Sequence, residues 1–229
     1  MTTIGVLGGM GPEATNAFCA LITALTPAQK DQDHIPVLCF NNPKMSDRTA
    51  AILGQGPCPF AEILYTGKML VRAGASFLVM PCNTAHHYYD RLCAELPIPM
   101  LHMINETALA ARHMLPQATR VGLMCTSGTL AAKIFVKPFH EQGFELVTPT
   151  ETEQTELVMH AIYSIKAGRK EEARPILQKQ AELLGSRGAQ LIIAGCTEVP
   201  LALSANQLNL PLINPAEALA RAAIRRAME

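Results

Sequence analysis

Along the chain, short runs of β-branched and other apolar residues ending in glycine or a polar turn alternate with longer stretches whose apolar residues return every third or fourth position. The first pattern fits strands buried on both faces, the second amphipathic helices, and their alternation is the mark of βα units around parallel sheets. The opening run, Ile4-Gly5-Val6-Leu7, leads through glycines to Pro12, and Ala14, Ala17, Phe18, Leu21, Ile22 and Leu25 then follow at helical spacing. Further strands are expected at Val37 to Phe40, Phe77 to Met80, Met100 to Met103, Val121 to Met124, Glu145 to Val147, Leu191 to Ala194 and Leu212 to Ile213. The segment after Gly54, with Gly56, Pro57 and Pro59, reads as a surface loop.

The two halves repeat one another. Arg72-Ala-Gly-Ala-Ser-Phe-Leu-Val-Met-Pro-Cys82-Asn-Thr84 aligns with Ser186-Arg-Gly-Ala-Gln-Leu-Ile-Ile-Ala-Gly-Cys196-Thr-Glu198 at an offset of 114 positions. Ile4 to Leu7 matches Val121 to Met124 at an offset of 117, and Ile104-Asn105 with Arg112 matches Ile213-Asn214 with Arg221 at 109. Three ordered matches at nearly half the chain length point to an internal duplication. Two similar α/β lobes follow, with Cys82 and Cys196 just past the carboxyl ends of equivalent strands, where open α/β sheets bind their ligands. If the lobes face each other, a shared cleft presents one thiol from each side.

Composition narrows the chemistry. Of 229 residues 49% are hydrophobic, and 19 basic side chains balance 19 acidic ones, as in a soluble globular protein. With 5% aromatic residues, no Trp and no basic excess, nucleic-acid binding is not expected. The apolar stretch Met1 to Gly11 is short, lacks a basic flank and is broken by four glycines, unlike a secretory signal, and no apolar run is long enough to span a membrane. Seven scattered cysteines without CxxC pairs argue against a disulfide framework or a zinc ribbon, and the expectation is a reduced, cytoplasmic protein.

Gly9-Met10-Gly11-Pro12-Glu13-Ala14 formally satisfies the dinucleotide fingerprint GxGxx[G/A], but the second strand runs into Asn41-Asn42-Pro43 where an acidic residue should hold the ribose. The glycines are read more simply as letting backbone N–H groups approach a carboxylate at a helix start. No zinc spacing joins the cysteines to His86, His87 or His160, and the two adjacent histidines read as polar helix residues. Cys19, Cys39, Cys93 and Cys125 read as inert, buried small side chains. Cys82 and Cys196 differ: each ends an apolar strand, precedes amide or hydroxyl residues, and is expected near a helix amino terminus that lowers its pKa. Two facing thiols suit removal of a proton from one face of a carbon and return of another to the opposite face, which is racemisation or epimerisation.

At these residues the sequence resembles the aspartate/glutamate racemase superfamily, most closely its aspartate racemase branch. The resemblance runs through Gly8-Gly-Met-Gly-Pro-Glu-Ala-Thr15, Asp47-Arg48-Thr49, Pro81-Cys-Asn-Thr-Ala-His86, Cys125-Thr-Ser-Gly-Thr129, Ile165-Lys-Ala-Gly168 and Gly195-Cys-Thr-Glu198. Glutamate racemases typically carry Asp-Ser-Gly after the first strand and a His after the second cysteine motif, where this chain has Gly9-Met10-Gly11 and Glu198. The resemblance implies a cofactor-independent, metal-free aspartate racemase in which Cys82 and Cys196 are the acid/base pair. Met10, Asn83, Thr84, Thr126, Thr129 and Thr197 would line the pocket, and Arg48 and Lys166 would clamp the side-chain carboxylate of a dicarboxylic amino acid.

It also implies two pseudo-symmetric three-layer α/β/α lobes with mainly parallel sheets, an active site in the cleft between them, and a homodimer. The expected division is a first lobe over 1–114 joined by 208–229, whose last helix, Ala216 to Met228, packs on it, and a second lobe over 115–207. A related racemase acting on glutamate or a broader set of amino acids, and a catalytically silent amino-acid-binding relative, are the alternatives.

Overall fold

The computed structural model describes residues 2–229. Met1, where both the expected first lobe and the apolar amino-terminal stretch begin, lies outside the described residues. The chain divides into two compact units, one running to Met103 and taking in Ala216–Glu229, the other Ile104–Pro215.

In the first unit, β1 (Ile4–Gly8) lies between β2 (Val37–Asn41) and β3 (Phe77–Val79), all parallel. Every residue of β1 is buried, as the unbroken apolar run implied. Ile4 and Val6 face Phe18 and Ile22 of α1 (Pro12–Leu25) and Leu219, Ala220 and Ala223 of the C-terminal helix Pro215–Met228. α2 (Arg48–Ile52) follows β2. Leu7 and Leu78 pack instead with Ile63 and Leu70 of α3 (Phe60–Arg72) and Leu92 of α4 (Tyr89–Glu95). Burying each such side chain is worth roughly 1.5–3 kcal/mol, which makes these two apolar layers the main stabilising feature of the unit.

The second unit opens on α5 (Met103–Met114), followed by β4 (Arg120–Met124), α6 (Ser127–Ala131), α7 (Val136–Glu141) and β5 (Glu145–Val147). α8 (Glu151–Glu153) continues through a π-helical stretch, Gln154–Met159, into α9 (His160–Lys166), and α10 (Lys170–Ser186), β6 (Leu191–Ala194) and β7 (Leu212–Ile213) complete the unit. The strands run parallel in the order β5-β4-β6-β7. One face packs on Val158, Ile162, Ile165, Leu177 and Leu184, and the other on Ile104, Ala108 and Ala111 together with Phe135, Phe139 and Phe144. β4, β5 and β6 thus repeat the order and direction of β1, β2 and β3, and each unit is a three-layer α/β/α sandwich.

Two expectations change. The boundaries fall at Met103 and Pro215, not at 114 and 207. α5 buries its apolar stripe on β4 and β6, so it belongs with the strands after it, and β7 stays with β6 through its ladder bonds. The strand expected at Met100 to Met103 is a single bridge between Leu78 and Met100. Leu78 donates to Pro99 O (2.8 Å) and Leu101 to Leu78 O (3.0 Å), but Met103 N–H turns to His86 Nε2 (3.0 Å) and opens α5. Pro99 has no N–H to extend a ladder, so pairing stops there. Among the described residues no helix is long and apolar enough to cross a membrane.

Candidate functional site

Cys82 sits three residues past β3, its N–H bonded to Met80 O at 2.8 Å, and the chain then enters a 3-10 turn, Thr84–Tyr88. His86, at helical spacing from the cysteine, reaches back so that Nδ1 lies 2.8 Å from Cys82 O, while Nε2 accepts from Met103 N–H. An acceptor at Nε2 and a carbonyl at Nδ1 select the neutral tautomer with the proton on Nδ1. Burial, reinforced by neighbouring His102 and opposed by the Cys82 carbonyl, lowers the His86 pKa to about 3. The ring is therefore a neutral clasp on the backbone of Cys82, a role the sequence reading of a polar helix residue missed. The Cys-x-x-x-His spacing was its only trace.

Asn83 is 1% exposed, yet neither its amide oxygen nor its amide nitrogen has a hydrogen-bond partner. Buried polar groups are almost always satisfied, so an amide left open at both ends marks a place for a ligand with both donor and acceptor groups. Met10 shares an apolar cluster with Cys82, Met45 and Tyr88. Before it, Gly9 N–H is taken by Thr15 Oγ1 at 2.9 Å, and Thr15 Oγ1 in turn donates to Gly11 O at 2.8 Å. Gly9 has φ +104, and a Cβ there would run into the Asn42 carbonyl. The glycine thus admits the neighbouring backbone, and its own N–H is committed to Thr15.

Arg48 opens α2, whose first turn is capped by Asp47 Oδ1 accepting from Ala50 N at 2.8 Å. Its Nη1 donates to Met45 O (3.3 Å) and Ser46 O (3.0 Å), and its buried Nε has no partner. The guanidinium bears on Tyr88, at the end of the turn that follows Cys82. The first unit therefore brings Met10, Arg48, Cys82, Asn83 and Thr84 to the carboxyl end of its sheet.

In the second unit Thr126 caps α6: its Oγ1 accepts from Thr129 N at 3.2 Å and lies 3.0 Å from Thr129 Oγ1. Gln154, 6% exposed and on the π-helical stretch, donates to Cys125 O (2.9 Å) and Ser127 Oγ (3.3 Å), fastening this threonine loop while its own oxygen stays unpartnered. π-Helical turns often sit at functional sites, but nothing in the sequence spacing signalled this one.

After β6, the buried Cys196 thiol donates to Glu198 Oε2 at 2.9 Å, and Thr197 Oγ1 donates to the same oxygen at 3.3 Å. Burial first, and then the Glu198 charge, push the Cys196 thiol well up, with Lys166 at the end of α9 pulling the other way. The expected lowering by a helix terminus does not hold, because only a 3-10 turn of three residues, Val199–Leu201, follows and the carboxylate outweighs it. In the sequence Glu198 stands out only as a departure from the glutamate racemase pattern; its contact with the thiol comes from the turn geometry.

Of the other cysteines, Cys125 is fully buried and its pKa is raised by burial alone, whereas Cys39 and Cys93 are exposed and Cys19 half-buried, so the expected burial holds only for Cys125. Among the described residues, no three His, Cys, Asp or Glu side chains converge to hold a metal ion.

With this geometry in view, the Asp/Glu/hydantoin racemase family matches residues 7–223. The chain belongs to that family. It is 28% identical to the broad specificity amino-acid racemase RacX of Bacillus subtilis over 232 residues, covering 96% of each protein. Its fold superposes on an aspartate racemase from Picrophilus torridus with a TM-score of 0.88 at 29% identity, covering 100% of this chain and 95% of that one. An aspartate racemase homologue from Pyrococcus horikoshii gives a TM-score of 0.78 at 25% identity over the whole of both chains. In this family member the motifs around both cysteines fall inside the matched region.

Proposed function

We propose that the protein racemises aspartate by two-base proton transfer between Cys82 and Cys196, without pyridoxal phosphate or metal. The observation that carries the reading is the repetition of one buried thiol after the third strand of each unit, β3 and β6, in sheets of the same order. A thiolate removes the Cα proton and becomes a thiol. The other thiol delivers its proton to the opposite face and becomes a thiolate, so the net charge of the pair is unchanged through the cycle. The open amide of Asn83, with the hydroxyls of Thr84, Thr126, Thr129 and Thr197, binds the α-ammonium and α-carboxylate and stabilises the planar carbanion.

Arg48 and Lys166 meet the side-chain carboxylate, which is what selects an acidic substrate. Support for Arg48 is its buried, unpartnered Nε, since a guanidinium held by only two backbone carbonyls has fork donors left for a carboxylate. Support for Lys166 is its electrostatic reach to Cys196. Incubation with L-aspartate in deuterated water, followed by chiral chromatography and mass spectrometry, tests the reading. Deuterium at Cα of D-aspartate is the expected result, and exchange with L-glutamate or lysine at a similar rate would replace aspartate by a broader substrate set. Unchanged substrate with retained binding would mean an amino-acid-binding protein. Activity surviving dialysis against a chelator and a carbonyl-trapping amine tests cofactor independence.

A further inference from the structure

The Cys196 turn holds more than a thiol. Glu198 is 5% exposed, and its Oε2 accepts hydrogen bonds from both the Cys196 thiol and the Thr197 hydroxyl. The backbone of the turn is pinned by Val199 N–H to Cys196 O and Leu201 N–H to Glu198 O, each 3.0 Å. An ionised carboxylate only accepts hydrogen bonds, and the arrangement is complete only while the sulfur carries its proton. Ionising Cys196 would set two negative charges face to face in a buried site, opposed by the Lys166 charge and by the Glu198 backbone N–H.

We propose that Glu198 is the positioning residue that holds Cys196 in its protonated form, so that this turn enters the reaction as the proton donor. This deepens the racemase reading and rests on it for its kinetic consequence: a cycle needing one acid and one base then places the resting thiolate on Cys82. Burial and the neighbouring carboxylate both favour the neutral thiol, consistent with this assignment. After turnover Cys82 carries the proton taken from the substrate and Cys196 is the thiolate; Glu198 opposes that thiolate and Lys166 supports it, so Cys196 regains a proton from solvent as Cys82 releases one to solvent, and the resting form is restored.

The test titrates the thiol without substrate. The intact protein and its Glu198→Gln variant are alkylated with iodoacetamide across a pH series, and the Cys196 and Cys125 peptides are quantified by mass spectrometry. Glutamine keeps the acceptor and removes the charge. The expected result is that the pH midpoint for Cys196 alkylation falls in the variant by at least one unit, which is about a tenfold faster reaction at pH 8, with Cys125 unchanged. An unchanged Cys196 midpoint would overturn the proposal. So would equal acceleration at buried Cys125, because that would trace the effect to a loosened fold. In racemisation assays the alkaline limb of the kcat/KM profile should move down by the same amount for both enantiomers, since their equilibrium constant is one. A shifted thiol titration in a protein that inverts no amino acid would leave the control of Cys196 intact and remove the racemase reading.

Discussion

The turns after β3 and β6 descend from one repeated pattern but support their thiols differently. At Cys82 the partner is a neutral imidazole that grips the backbone carbonyl and ties it to Met103, leaving the sulfur's charge state to other groups. At Cys196 the partner is a carboxylate that accepts a hydrogen bond from the thiol itself. One site is positioned through its main chain and the other poised through its side chain. The two halves therefore share the place of the sulfur while the surrounding chemistry differs, which suits the proposed pair of one base and one acid.

The harshest way to test this pairing is to remove either sulfur. If the proposed two-thiol cycle holds, Cys82→Ser and Cys196→Ser should each lower racemisation by about 10³-fold, measured by circular dichroism of the aspartate enantiomers, because each removes one of its two proton-transfer groups. Near-normal activity in either would dissolve the comparison. Arg48→Ala should lower kcat/KM for aspartate by about 100-fold, or roughly 2.7 kcal/mol of transition-state binding, while the urea midpoint falls only by what the lost bonds to the Met45 and Ser46 carbonyls contribute.

His86 sharpens the contrast through stability. Its folded pKa, about 3, lies below the ordinary 6.5, so the folded state favours the neutral ring. That contribution is fully present above pH 6.5 and drains away as the pH falls toward 3, because the unfolded chain takes up the proton first. About 2–3 kcal/mol should be lost between about pH 6.5 and about pH 4.5, read from urea midpoints, and His86→Gln should flatten that slope. A steep slope persisting in the variant would assign the acid sensitivity elsewhere. Smallest of all, Thr126→Ala should cost about 1 kcal/mol by loss of the α6 cap, with a larger effect on KM than on the melting temperature if the loop binds substrate.

Most strands were legible because a fully buried parallel strand must be an unbroken apolar run, as in Ile4 to Gly8 and Leu191 to Ala194. The repeat placed the two sulfurs at matching strand ends without any coordinates. Met100 to Met103 misled for the same reason: it is apolar and short, but Pro99 and the His86 acceptor end its ladder after one bridge. Cys39 and Cys93 show the limit of residue type as a guide to burial, since cysteine is usually inside and these two are not.

By itself, then, the sequence determined the alternation of strands and helices, the repeat between the halves, and the place of one cysteine just past a matching strand in each half, because these follow from local periodicity and from repeated residue order. Only the tertiary structure decided that α5 joins the second sheet and the C-terminal helix the first, that Asn83 is buried with its amide open, and that His86 and Glu198 reach the two cysteines. Those outcomes depend on which apolar stripe finds which sheet and on how a few buried polar atoms find partners. Such balances are struck among residues distant along the chain or across tight turns, and no single segment encodes them.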